Sequence, residues 1–161
     1  MTLLPVPSLR PMRVDDLALV LAWRSDREVM RYLPSAPERP TWEQHLQWFV
    51  SRPVGRTDWM VCLQEIGGMR SVGTAHATHD GEVGVIIGEK SSWGKGIATE
   101  VIGLLIRLSP GLALWCVIHP DNIASQEVFK ANGFSWDGSE MGRNGQRVYR
   151  LKRQGGTEVK R

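Results

Sequence analysis

An α+β domain around one mixed sheet is the architecture this sequence predicts, on three observations. Strand-like runs and segments of helical periodicity follow the order β-αα-βββ-α-β-α-ββ, without the strict alternation of a parallel α/β sheet. A chain of 161 residues has room for one real core, and no repeat or internal linker divides it. Leu112 to Ile118 is apolar at consecutive positions, as expected of a strand buried on both faces.

Each element has its own local reason. Leu9 to Val14 reads as a first strand. Asp15-Asp16 offers a helix cap, and Leu17, Val20, Leu21 and Trp23 supply an apolar face. Pro34, Pro37 and Pro40 break the chain into a loop. Thr41-Trp42-Glu43-Gln44 is a capping box that opens a helix carrying Trp42, His45, Leu46, Phe49 and Val50 at helical spacing. Trp59 to Gln64 and Ser71 to His79 are strand-like around the Gly67-Gly68 turn, and Asp80-Gly81 turns the chain into a further strand, Glu82 to Gly88. Ile97, Val101, Leu104, Leu105 and Leu108 mark one face of a helix that Pro110-Gly111 ends. After the strand ending at Ile118, Pro120-Asp121-Asn122 turns into a helix through Lys130, and Asn132-Gly133 closes it. Phe134 to Ser139 and Arg147 to Lys152 form a closing hairpin around Asn144-Gly145. The domain is expected over residues 1–152, with a flexible polar tail over 153–161.

Composition narrows the function classes. The formal charge of +3 suits an anionic ligand and is too small to argue for nucleic acid. No apolar run approaches the ~20 residues of a membrane span, and MTLLPVPSLRP lacks the pattern of a signal peptide, so a cytoplasmic protein is expected. Cys62 and Cys116 lie in apolar, strand-like runs and read as buried reduced thiols. No spacing suggests a zinc site. Assembly is not readable; a homodimer is compatible with the sequence.

The segment S-S-W-G-K-G-I-A-T-E, Ser91 to Glu100, lies between a strand and a helix, where phosphates are often held. The nucleoside-triphosphate loop G-x-x-x-x-G-K-[ST] does not fit, because Gly96 stands where the magnesium-binding hydroxyl belongs. The dinucleotide fingerprint G-x-G-x-x-G/A fails at Thr99. What remains is a short turn whose Gly94 and Gly96 let successive N–H groups converge on one anion at a helix N-terminus, or a plain tight turn.

The stretch from Ile87 to Glu100 resembles the acetyl-coenzyme A loop of the GNAT superfamily of N-acetyltransferases, [Q/R]-x-x-G-x-[G/A]. Gly94 and Gly96 match, and Ser91 departs at the first position. His119-Pro120-Asp121-Asn122-Ile123-Ala124-Ser125, followed by Phe129 and Gly133-Phe134, resembles the family's N-x-x-S/A helix ending in GF. The resemblance covers roughly residues 8 to 152. W-G-K-G-I-A-T-E is similar to the branch of ribosomal-protein N-terminal acetyltransferases. Trp23-Arg24-Ser25-Asp26 with Glu43 to Phe49 is similar to acetyltransferases of UDP-4-amino-sugars, although Ser25 replaces an Asn.

The resemblance implies a single GNAT-like domain with six to seven strands, a splayed strand pair and about four helices. It implies acetyl-CoA as donor, with Val85, Ile86 and Ile87 beside the pantetheine and Gly94, Lys95, Gly96, Ile97, Ala98 and Thr99 around the pyrophosphate. Asn122, Ser125 and Phe129 would flank the pantetheine and sulfur, and Arg24, His45 and Trp48 the acceptor. The acceptor implied is a small-molecule amine, possibly an amino-sugar nucleotide. The alternatives are a peptide or protein N-terminus, another amine, or a non-catalytic acetyl-CoA-binding module.

Direct transfer needs a base for the amine and a proton donor for the thiolate, but no covalent enzyme intermediate. Glu82 is the first candidate base, against the alternative of a solvated residue after a turn. His45 is the second, against a packing role. Many members place a Tyr where this chain has Phe129, which cannot donate; Ser125 or water would then serve.

Overall fold

The computed structural model describes residues 5–33 and 39–156. Pro34, Pro37 and the last five residues of the expected tail lie outside them. The strands are β1 (Pro7–Pro11), β2 (Arg56–Glu65), β3 (Gly68–Thr78), β4 (Val83–Ile87), β5 (Leu114–Ile118), β6 (Ser135–Met141) and β7 (Arg147–Arg153). The helices are α1 (Leu17–Arg24), α2 (Trp42–Val50), α3 (Ile97–Leu108) and α4 (Ile123–Ala131). The domain's last strand therefore ends at Arg153, one residue past the expected boundary.

The sheet is parted at the splayed strand pair that the resemblance implies. Antiparallel β1-β2-β3-β4 forms one sheet and β5-β7-β6 the other. They meet at a single parallel bridge, Glu82 with Trp115. One core spans both sheets beneath α3 and α4, with Val61, Val72, Val83, Leu114, Cys116 and Leu151 among its buried members. A second, smaller core lies on the opposite face of the first sheet, where α1 and α2 cover Met60 and Cys62. The face of α3 is slightly rotated from the expected one: Ile97, Val101, Ile102 and Leu105 are buried. Leu108 is 58% exposed, because it ends the helix beyond the sheet it packs on.

Two caps illustrate how local chemistry decides. Thr41 Oγ1 accepts from Gln44 N at 3.2 Å and Gln44 Oε1 accepts from Thr41 N at 2.9 Å, the expected capping box. Asp16, by contrast, does not cap α1. Its carboxylate accepts both Arg10 guanidinium nitrogens, at 2.8 and 2.6 Å, and Arg13 N at 2.8 Å. The fork from Arg10 holds this carboxyl below its ordinary range and fixes the entry into α1 from β1.

The contact that seats α1 on the site lies at Gly88. A Cβ there would fall 2.1 Å from the Trp23 ring, so the ring rests directly on the backbone just past β4. Gly88→Ala should destabilise the protein by about 2 kcal/mol, the scale of an overpacked interior. Urea unfolding checks this; an unchanged midpoint would show that the Trp23 contact contributes little.

Candidate active site

Gly88 N donates to Val72 O and Thr78 N to Glu82 O, both at 2.9 Å, which sets the phase of the β3–β4 ladder. In an antiparallel pair the bonded residues alternate. Gly84 and Ile86 therefore turn their backbone groups to β3. Val85 and Ile87 turn theirs to the other side, into the split between β4 and β5. Of the three strand residues expected along the pantetheine, Ile86 is thus the one whose backbone is already committed. Trp93 Nε1 donates to Ile87 O at 2.7 Å, so the Ile87 N–H and both backbone groups of Val85 remain directed at the split.

The split leads to the glycine turn. Gly94 and Gly96 have φ of +72° and +76°, and a Cβ at either would meet no atom within 4 Å. They are glycine for backbone conformation, not for tight packing. Gly96 stands at the N-cap of α3 and offers no side-chain cap. Among the described residues no carbonyl accepts from the amides of Gly94 through Thr99. Ile97 is buried and anchors this end, while Lys95 is exposed at the rim. Converging amides, the positive helix end and a lysine suit a pyrophosphate, so the residues present fit coenzyme A at this place.

On the far side of the split, Asn122 caps α4 by accepting from Ser125 N at 3.1 Å. The Ser125 side chain is half-buried at the same helix end. Phe129 does not line the split. It is 3% exposed and packs edge-to-face on Phe134, centroids 5.0 Å apart, inside the main core. Its expected place beside the cofactor is corrected to a packing role by that burial.

Arg24, His45 and Trp48 do come together. The Arg24 guanidinium lies 4.6 Å over the Trp48 ring, and the His45 ring stacks on Trp48 at 5.3 Å. His45 is fully buried. Its Nε2 donates to Leu17 O at 3.0 Å, which leaves Nδ1 to accept from Arg24 across 3.4 Å. Burial, then the Arg24 charge, pushes the imidazole pKa down, so the ring stays neutral. Direct contact with an acceptor, expected from the sequence, is closed to His45 by this burial; it holds Arg24 instead. Arg24 is half-buried, and desolvation followed by repulsion from Arg56 lowers its pKa. Among the described residues it forms no salt bridge.

Glu82 sits at the bridge where the sheets part, its side chain 25% exposed. His76 Nε2 stands 3.9 Å from Glu82 Oε1, an ion-pair distance longer than a hydrogen bond. The imidazole beside it holds the Glu82 carboxyl below its ordinary range against the opposing effect of burial. Glu82 and His76 lie on the face of the first sheet that α1 and α2 cover, the face of Arg24 and Trp48. His76 was read from sequence only as a strand residue. The signal that could have found it is register: Asp58, His76 and Gly84 share one face. Lys90 bridges Asp26 and Glu28 at 2.9 and 2.7 Å and so ties the approach to the glycine turn to the chain after α1.

Gly96→Glu places a carboxylate among the amides of the cradle. It should weaken acetyl-CoA binding by at least tenfold, roughly the loss of one charge-assisted bond at ~1.5–3 kcal/mol. Calorimetric titration checks this; unchanged affinity would take the turn out of the donor site.

Comparison with known proteins agrees with this geometry. The acetyltransferase (GNAT) domain family matches residues 8–135. An uncharacterized protein of Methanocaldococcus jannaschii, MJ1062, is 29% identical over 150 residues, covering 89% of this chain. The chain spans only 30% of that relative's length. The structure of a domain from the same organism superposes with a TM-score of 0.79 at 28% identity, covering 92% of this chain and 99% of that one. The structure of AAC(6')-Ib in complex with ribostamycin and coenzyme A superposes with a TM-score of 0.78 at 18% identity, covering 92% and 93%. No helix among the described residues is long and apolar enough to cross a membrane. The family match over most of the chain, on a fold with this parted sheet, places the chain in the acetyltransferase (GNAT) domain family.

Proposed function

We propose that this chain transfers acetyl from acetyl-CoA to the primary amine of a small acceptor that also carries a phosphate or carboxylate, an amino-sugar nucleotide being the acceptor favoured. The observation that carries this reading is Arg24. A half-buried guanidinium that forms no salt bridge among the described residues is costly to maintain, and here it is held in one orientation by Trp48 and His45. A planar fork fixed in this way suits bidentate recognition of an oxyanion. The resemblance of the Trp23-to-Asp26 and Glu43-to-Phe49 segments to amino-sugar acetyltransferases points the same way. AAC(6')-Ib, by contrast, is described with an aminoglycoside. An acceptor of that polycationic kind would meet Arg24 with like charge.

Acetyl-CoA supplies the acetyl group as a thioester. The residues of this chain do the rest. The amides from Gly94 to Thr99 bind the pyrophosphate, and Val85 and Ile87 align the pantetheine. Arg24 fixes the anionic end of the acceptor. Glu82, ionised through the neutral range, accepts the amine proton through water. Ser125, on the first turn of α4, is the donor on the opposite side.

An acceptor panel tests the reading, with a UDP-4-amino-sugar, an α-amino-acid amide and kanamycin. Arg24→Met should lower kcat/KM for the sugar nucleotide roughly 10- to 100-fold, the ~1.5–3 kcal/mol of a charged hydrogen bond, with acetyl-CoA affinity kept. Preference for kanamycin would overturn the anionic-acceptor reading. Tight acetyl-CoA binding without turnover of any acceptor would make the chain a binding module. Glu82→Gln should reduce kcat by about 10²- to 10⁴-fold with acetyl-CoA affinity unchanged. Full turnover would end its role as base.

A further inference from the structure

His76 stands out among the polar groups that the proposed chemistry leaves unused. Its Nε2 is buried and makes no hydrogen bond among the described residues. Such an atom costs free energy unless something else requires it there. The cross-strand partner on β2, Asp58, cannot supply the bond. Its carboxylate already accepts Arg52 at 3.1 Å and Arg56 at 3.0 and 2.9 Å. The partner on β4 is Gly84, which has no side chain. A Cβ at Gly84 would fall 2.4 Å from His76 Cε1, so the imidazole occupies the space above the bare backbone. It reaches over that glycine to Glu82, whose carboxylate has no other hydrogen-bond or ion-pair partner among the described residues. The two unmatched groups thus face each other at 3.9 Å, and a side-chain movement of about 1 Å closes the gap to a hydrogen bond.

We propose that His76 is a positioning residue for Glu82: an Nε2–H···Oε1 bond across Gly84 aims the carboxylate that takes the acceptor's proton. The inference rests on the reading of Glu82 as base. No bond is made or broken by His76. It selects one carboxylate rotamer, keeps the oxygen facing the split, and leaves Oε2 to receive the proton. Glycine at position 84 is then a requirement of the site, since alanine would displace the ring. The other charged groups around the pair are accounted for. Arg56 is engaged by Asp58 on β2. Arg143, from the β6–β7 hairpin, acts on Glu82 at longer range. Cys116 on β5 has its thiol pushed up to about 12, chiefly by burial, and stays neutral. Arg24 on α1 faces Arg56.

The test is carboxyl-carbon NMR titration of the full chain labelled at glutamate, the Glu82 signal assigned by its loss in Glu82→Gln. This readout needs no acceptor. Removing the donor favours the protonated carboxyl, so His76→Leu should raise the Glu82 midpoint by about one pH unit. Gly84→Ala should do the same by moving the ring. His76→Gln, which keeps an N–H donor, should stay near the wild-type midpoint. With the UDP-4-amino-sugar as acceptor, His76→Leu should lower kcat about tenfold and leave the KM for acetyl-CoA unchanged. Coincident midpoints for wild type, His76→Leu and Gly84→Ala, with the fold intact by circular dichroism, would overturn the proposal. An inactive Glu82→Gln beside a fully active His76→Leu would also overturn it, while leaving the base assignment standing. A fully active Glu82→Gln would remove both.

Discussion

Two neighbouring parallel strands that stop pairing after one bridge are the constraint on which this molecule depends. A sheet normally satisfies every backbone group of its inner strands. Here β4 and β5 are joined only at Glu82 and Trp115, where Trp115 N donates to Gly81 O at 2.9 Å. Gly81 is what lets the vertex close, since a Cβ there would fall 2.2 Å from Ala113 O. Beyond it the strands diverge, and the groups of Val85 and Ile87 are released from the sheet. The halves do not separate, because one apolar core runs under both and takes residues from β4, β5 and β7 alike. Burial thus supplies the cohesion that hydrogen bonding gives up at the split.

Glu82 and the glycine turn lie beyond opposite ends of the same short strand. β4 begins beside Glu82 and ends at Gly88, where the Trp23 ring lies on the backbone. The Lys90 bridge to Asp26 and Glu28 adds a second tie between the turn before the cradle and the chain after α1. Exposed ion pairs of this kind are screened by solvent and hold weakly, so the ring-on-glycine contact carries most of the mechanical connection. The Trp23 packing, more than the charges, makes α1 sense where β4 ends, and Arg24 is the next residue along.

Periodicity made most of the fold legible in the sequence. The helix α3 was legible between the glycine turn and Pro110-Gly111, and it spans Ile97–Leu108. The capping box at Thr41 fixed α2 for the same local reason. The glycine turn was readable because its requirement is a backbone one: only glycine takes φ near +75° freely. What stayed hidden was tertiary. Asp16 reads as a helix cap, yet Arg10, across the turn from β1, takes its carboxylate. His45 reads as pocket-facing, yet Leu17 O and Trp48 enclose it. Phe129 sits at a position that a family pattern gives to the cofactor, yet the Phe134 ring claims it. In each case one polar or aromatic group had two reasonable partners, and only packing chose between them.

The charges on the acceptor face are arranged in a way that bears on the chemistry. Asp58, buried at 6% exposure, pairs with both Arg52 and Arg56, one carboxylate against two guanidinium groups, so with Arg24 beside them this cluster keeps a positive balance. Glu82 lies on the same face with its carboxyl held below the ordinary range. A carboxylate so held is ionised throughout the neutral range, so it is always available, but it is a weak proton acceptor. Proton transfer to it is favourable only if the acceptor's ammonium is itself made more acidic. A positive, partly desolvated surface does this: it disfavours an incoming ammonium relative to the free amine, while attracting an anionic group on the same molecule. On the proposed reading Arg24 therefore serves both ends of the acceptor, drawing in the phosphate or carboxylate and lowering the cost of deprotonating the amine for Glu82.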